Sequence, residues 1–187
     1  MISKIIIAGS GGQGILFLGK ALAFACMFEG KEVTWFPSYG AEMRGGTANC
    51  TVVVADEMIG SPVVLTPDIL VIMNSISLDK FLPKLARNGH LFYDSSLIPM
   101  PKVKGHTILV PVPATEIART AATTKSANMV MLGAIIAKTG ILGLKSLRKV
   151  FDRSGRTAPQ ASSNINIRTI QEGMKYIEDQ KSHDSRR

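Results

Sequence analysis

A chain of 187 residues with 45% apolar composition is one domain, or one domain with an appendage, and a chain of this size buries roughly 70% of its unfolded surface. No apolar run reaches the ~18–20 residues of a membrane helix, and the opening Met1-Ile2-Ser3-Lys4 lacks the parts of a secretory signal, so no membrane association and a cytoplasmic location are expected. Two cysteines are too few for an iron–sulfur cluster, which takes about four thiolates; the net charge of +8 comes from Lys and Arg crowded toward the C-terminal third with few aromatics, which points to a solvated face, an acidic partner or a polyphosphate ligand rather than to nucleic acid.

In chain order, residues 4–8 are an apolar strand that runs straight into a glycine-rich turn, Gly9-Ser10-Gly11-Gly12-Gln13-Gly14. Residues 12–28 follow as a helix stopped by Gly30. A second strand, 32–36, ends at Pro37, and a polar, glycine-rich stretch leads to a third strand at 48–55. Pro67-Asp68 opens a fourth strand at 69–73, and Asn74-Ser75 precedes a helix over 78–87. Asn88-Gly89 turns into a fifth strand at 90–93, and 107–111 reads as a sixth. Pro113-Ala114-Thr115 opens a helix through residue 122. The almost wholly apolar helix 127–138 reads as buried, and helices over 144–151 and 165–179 close the domain. Residues 1–180 thus form one domain, with a polar, frayed tail at 181–187.

Strands alternating with helices predict an α/β fold: a mostly parallel, Rossmann-like sheet with helices on both faces. Ligands in such folds bind at the carboxyl ends of the strands. The turn after strand one and the loop after strand two are both placed there.

Gly9, Gly11 and Gly14 match the G-x-G-x-x-G spacing, and Gly12 is a fourth glycine. Such a turn lets a phosphate approach backbone amides at a helix N-terminus, where the dipole favours an anion; its plain alternative is a tight connection with no ligand. A dinucleotide site would want Asp or Glu at the end of strand two, where Trp35-Phe36-Pro37-Ser38 stands instead. That disfavours NAD and leaves a stand-alone NADP-dependent reductase as an alternative. The second loop holds Glu42 and Arg44 among Gly40, Gly45 and Gly46. Arg44 could clamp a phosphate or carboxylate through two parallel N–H bonds, or simply pair with Glu42. Asn128, Asn164 and Ser95-Ser96 stand between capping roles and roles in a cleft. Cys26 and Cys50 read as buried, inert thiols. His90, His106 and His183 are too scattered for a zinc site, no nucleophile–base–orienter set is evident, and Ile15-Leu16 replaces the Lys of a P-loop.

Three segments together closely resemble the gamma subunit of 2-oxoacid:ferredoxin oxidoreductases. They are the turn Gly9 to Gly14, the run Pro37-Ser38-Tyr39-Gly40-Ala41-Glu42-Met43-Arg44-Gly45-Gly46-Thr47-Ala48-Asn49-Cys50, and Ala127-Asn128-Met129-Val130 with Leu132-Gly133. Ala41 departs from the Pro of many members, which alters loop stiffness. The resemblance implies a complex that converts a 2-oxoacid and coenzyme A to acyl-CoA and carbon dioxide and passes two electrons to ferredoxin. It implies alpha and beta partner subunits, with a ferredoxin-like delta subunit in some members. Thiamine diphosphate and [4Fe–4S] clusters would sit in those partners. Carried over, Gly9, Gly11, Gly12, Gln13 and Gly14 would approach the coenzyme A phosphates. Glu42, Arg44, Gly45 and Gly46 would organise the side facing the thiamine-bearing subunits, and Asn128 is a further candidate.

Overall fold

A computed structural model describes residues 2–38, 47–103, 105–154 and 160–184. The described strands are β1 (Ile2–Ser10), β2 (Glu32–Ser38), β3 (Thr47–Ala55), β4 (Ile69–Ile72), β5 (His90–Asp94) and β6 (Ile108–Val112). The helices are α1 (Ile15–Phe28), α2 (Ser75–Phe81), α3 (Ala114–Ala121), α4 (Ala127–Thr139), α5 (Leu144–Ser154) and α6 (Gln160–Asp184).

The six strands form one sheet in the order β2-β3-β1-β4-β5-β6. β1, β4, β5 and β6 pair in parallel. β3 is antiparallel to both β1 and β2, so five strands share one direction and β3 alone opposes them. The expected mostly parallel α/β sheet is therefore present, with an insertion that alternation alone does not reveal. β3 lies between β1 and β2, which moves the end of β2 two strand spacings, about 9.6 Å, from β1.

Side-chain alternation sends Ile5 and Ile7 of β1 to one face of the sheet and Ile6 and Ala8 to the other. The first face is covered by α1 and by α3 to α6, and it holds the larger core. The second is covered by one short helix, α2, through Leu78 and Phe81, with Val64 and Ile98 from the connecting segments. Helices thus lie on both faces, unequally.

α4 is buried along its length from Ala127 to Ile136, as its apolar sequence predicts. Its partner α6 lies unusually close. A Cβ on Gly133 would run into the carbonyl oxygen of Ile170, and one on Gly173 into that of Val130. The Lys181 ammonium donates to the carbonyl of Ala137, 2.8 Å away, near the C-terminus of α4. α6 accordingly continues through Asp184, beyond the helix end read at residue 179.

α2 starts earlier and stops sooner than the 78–87 reading. The Asn74 side chain accepts from Ser77 N at 2.9 Å and caps the helix at Ser75. Pro83, which lacks an N–H and disfavours continuation, sits in a 3-10 turn over Leu82–Lys84. Among the described residues, no helix is long and apolar enough to cross a membrane.

Candidate anion site at the first glycine turn

β1 and β4 are neighbours in the sheet and parallel, yet their helices leave to opposite faces. α1 packs on one face and α2 on the other. That divergence falls at the carboxyl ends of the two strands, the place where open α/β sheets bind ligands. The glycine turn lies there.

The turn is held in shape by named bonds. Gln13 N donates to Ser10 O at 3.2 Å. The Gln13 side chain then works in both directions: its Oε1 accepts from Ser10 N at 2.7 Å, and its Nε2 donates to Met73 O at 2.8 Å. Gly9 must lack a side chain, because a Cβ there would sit 2.6 Å from Gln13 Oε1 and 2.9 Å from Met73 Cβ. Gly12 and Gly14 have φ of +89° and +72°, the left-handed region that glycine alone enters freely. Gly11 and Gly12 are exposed, and a Cβ on Gly12 would meet nothing within 4 Å, so that stretch of backbone is open to a ligand.

Gly14 is the N-cap of α1 and brings no side-chain cap. By helix geometry the amides of Ile15, Leu16 and Phe17 have no acceptor within the helix, and no acidic residue occupies the first turn. The N-terminus of α4 converges on the same corner. Asn128, which is buried, donates from Nδ2 to Gly14 O at 3.1 Å. The α4 N-cap, Ser126, also makes no side-chain cap bond, and its first turn likewise carries no acid. The 3-10 turn Thr124–Ser126 runs straight into α4, with the Thr123 side chain accepting from Lys125 N and Ala127 N donating to Thr124 O, so the uncapped, acid-free start at this corner is that of α1, an arrangement suited to an anion.

The residues singled out from sequence separate into distinct roles. Gly11 and Gly12 leave their backbone exposed, while Gly9 allows close packing beneath the turn and Gly14 makes room for the Asn128 side chain. The Gln13 side chain is a brace rather than an exposed ligand group, since main-chain partners occupy both of its ends. Asn128 does not cap α4; it ties α4 to the turn. Glu42, Arg44, Gly45 and Gly46 lie outside the described residues. Of the described residues on either side, Thr47 pairs with Ser10 and Ser38 with Asn49.

Asn164 is an exposed residue within α6. Ser96 shapes a local turn: its N donates to Asp94 Oδ1 and its Oγ accepts from Glu116 N. Cys26 and Cys50 are buried, and desolvation pushes each thiol up to about 12. Among the described residues, no group of three His, Cys, Asp or Glu could hold a metal ion.

Sequence reasoning missed Asn74. It caps α2 and, from Nδ2, donates to Ser10 Oγ at 2.6 Å, bolting the β4–α2 corner to the turn. Its place directly after strand four, at a helix start, was the available signal; the link to Ser10, 64 positions away, was not visible.

Residues 4–176 match the family model described as pyruvate ferredoxin/flavodoxin oxidoreductase. The chain is 41% identical over 177 residues to the ketoisovalerate oxidoreductase subunit VorA of Methanothermobacter thermautotrophicus, covering 92% of this chain and 36% of that protein. It thus spans about a third of the length of that relative. Its fold matches the gamma subunit of a keto/oxoacid ferredoxin oxidoreductase from Geobacter sulfurreducens with a TM-score of 0.80 and 26% identity, over 95% of this chain and 99% of that one. It also matches the 2-oxoglutarate:ferredoxin oxidoreductase of Magnetococcus marinus, solved with 2-oxoglutarate, coenzyme A and succinyl-CoA bound. There the TM-score is 0.86 at 25% identity, over 95% of this chain and 31% of the other.

Proposed function

The chain belongs to the pyruvate ferredoxin/flavodoxin oxidoreductase family, and from that premise we propose that it is the gamma-type subunit of a 2-oxoacid:ferredoxin oxidoreductase whose first glycine turn binds phosphates of coenzyme A. The reaction joins an acyl group, released from a 2-oxoacid with carbon dioxide, to the thiol of coenzyme A, and delivers two electrons to ferredoxin. Alpha and beta subunits, with a ferredoxin-like delta subunit in some complexes, would bring thiamine diphosphate for the decarboxylation and [4Fe–4S] clusters for the electrons. This chain's own contribution is to bind and orient the polyanionic co-substrate. Holding one reactant in place can supply several kcal/mol to a bimolecular step.

The observation that carries the reading is the uncapped, acid-free N-terminus of α1 on an open glycine turn that Asn128 of α4 buttresses. Coenzyme A offers a pyrophosphate to match. The named ligands of the Magnetococcus marinus relative support the same class of co-substrate. The NADP-dependent reductase is the weaker reading. β3 separates β2 from β1, so the end of β2 is removed from the turn where a dinucleotide's ribose would be contacted.

The test uses the complex reconstituted with its partner subunits, assayed first with 2-ketoisovalerate, the 2-oxoacid in the name of the archaeal relative. Gly12→Ala forces a side-chain-bearing residue to φ +89° without touching the core, a strain of about 1–3 kcal/mol. The expected result is a raised KM for coenzyme A with an unchanged KM for the 2-oxoacid. An unchanged coenzyme A KM would remove the glycine turn from the site.

A further inference from the structure

We propose that the outward face of α1, with the groove beside β2, is the surface by which the chain docks on its partner subunits, and that its occupant is an amphipathic helix flanked by carboxylates. The proposal rests on the subunit reading just given and names the face that such a subunit would use.

α1 is apolar on every side. Among its 14 residues Lys20 is the one charged side chain. A helix of that kind belongs inside a folded body, yet Phe17, Lys20, Phe24 and Met27 are exposed. Phe17 is 48% exposed, Phe24 43% and Met27 55%, large values for side chains of this type. The four follow one another at alternating steps of three and four residues, so they form one stripe along the helix. Such a stripe is the seam on which a second helix packs at a shallow angle. A groove of about 200 Å³, lined by Lys20, Ala23, Phe24, Met27, Val33 and Trp35, runs beside it between α1 and β2. β2 is the edge strand of the described sheet.

Charge complementarity selects the occupant. Lys20 stands within the stripe, its ammonium 5.8 Å from the centroid of the Phe24 ring. α5 runs antiparallel along α1. Glu29, just past the end of α1, accepts from Gly143 N and Ser146 Oγ at the start of α5, and the Phe151 ring farther along α5 lies 6.2 Å from that of Phe17. The exposed ionisable residues described on α5 are Lys145, Arg148, Lys149 and Asp152, so this flank of the stripe is positive. Carboxylates beside an apolar seam complement it. A second copy of the chain does not, because a two-fold axis lays each patch against itself and brings the same cations together. The same unit makes up 36% of the archaeal relative and 31% of the Magnetococcus marinus chain, so in those proteins further polypeptide is joined to it.

The test measures binding of the full chain to its purified alpha and beta subunits by analytical ultracentrifugation. Phe24→Asp is expected to weaken association at least about thirtyfold, the effect of losing an aromatic anchor at an interface centre, while the melting temperature of the free chain stays level or rises. Lys20→Glu, at an exposed position, should weaken it about tenfold, and Lys20→Arg should bind as the wild type does. Gly12→Ala should also associate normally, since the turn is outside the seam. Wild-type affinity in both Phe24→Asp and Lys20→Glu overturns the surface and leaves the subunit reading standing. A loss in Phe24→Asp alone keeps the apolar seam and overturns the acidic flank. A wild-type chain that does not bind the two subunits overturns the subunit reading and the proposal with it. Dimerisation of the free chain that Phe24→Asp abolishes, with subunit binding unchanged, assigns the stripe to a second copy and overturns the proposal.

Discussion

In the proposed function the Gln13 side chain serves the anion site as a brace, since main-chain partners occupy both ends of its amide. Its amide joins Ser10 N and Met73 O, so one side chain sets both the pitch of the turn and its distance from β4. Gln13→Glu keeps an acceptor for Ser10 N but loses the donor to Met73 O, and it sets a carboxylate among helix N-termini. The coenzyme A KM of the assembled complex should rise more in Gln13→Glu than in Gln13→Ala, because the first adds repulsion to the loss of the brace; steady-state kinetics reads the difference. Gly9→Ala acts on stability instead. Its Cβ would lie 2.6 Å from Gln13 Oε1, and a loss of about 1–3 kcal/mol in unfolding free energy is expected by chemical denaturation. The two thiols make a third test. Burial raises both to about 12, so each stays neutral in the folded chain while an unfolded thiol ionises near pH 8.5. Their contribution to stability is present in full below that pH and is lost as pH rises toward 12. Native protein at pH 8 should resist alkylation by iodoacetamide at Cys26 and Cys50, and denatured protein should label at both.

At the level of elements, the tightest junction is the crossing of α4 on α6. Gly133 and Gly173 let two backbones meet where any side chain would strike a carbonyl. α4 also carries Asn128 to the turn, so the packing of α6 is coupled to the geometry of the site. Gly173→Ala should therefore lower the melting temperature by several degrees, consistent with the overpacking penalty of roughly 1–3 kcal/mol. It should weaken coenzyme A binding only as far as α4 shifts. α1 and α4 were both legible from apolar runs and flanking glycines. The limits of α2 were less so, because the cap at Asn74 and the stop at Pro83 act locally and the sequence between them has no long apolar period.

On the scale of the molecule, the proposed function makes the chain a binding unit whose reactive partners lie in other subunits. It spans about a third of one archaeal relative and nearly all of a solved gamma subunit, so the same unit occurs within a longer chain and as a chain of its own. The isolated chain should show no 2-oxoacid-dependent reduction of an electron acceptor such as methyl viologen, and addition of the alpha and beta subunits should restore it; an anaerobic spectrophotometric assay decides.

What amino-acid order alone determined is the local chemistry. An apolar strand, four glycines and an apolar helix specify a βα turn whatever surrounds it, because φ preferences and helix periodicity act over a few residues. The alternation of elements likewise specified a mostly parallel sheet. Three things needed tertiary structure. One is the antiparallel insertion of β3 between β1 and β2, which depends on pairing along whole strands. Another is the meeting of the α1 and α4 N-termini through Asn128 and Gly14, 114 positions apart. The last is the fastening of the turn to β4 and α2 by Gln13 and Asn74. Each is a contact between distant segments, and the short-range forces that shape a turn or start a helix carry no information about which distant segment will arrive beside it.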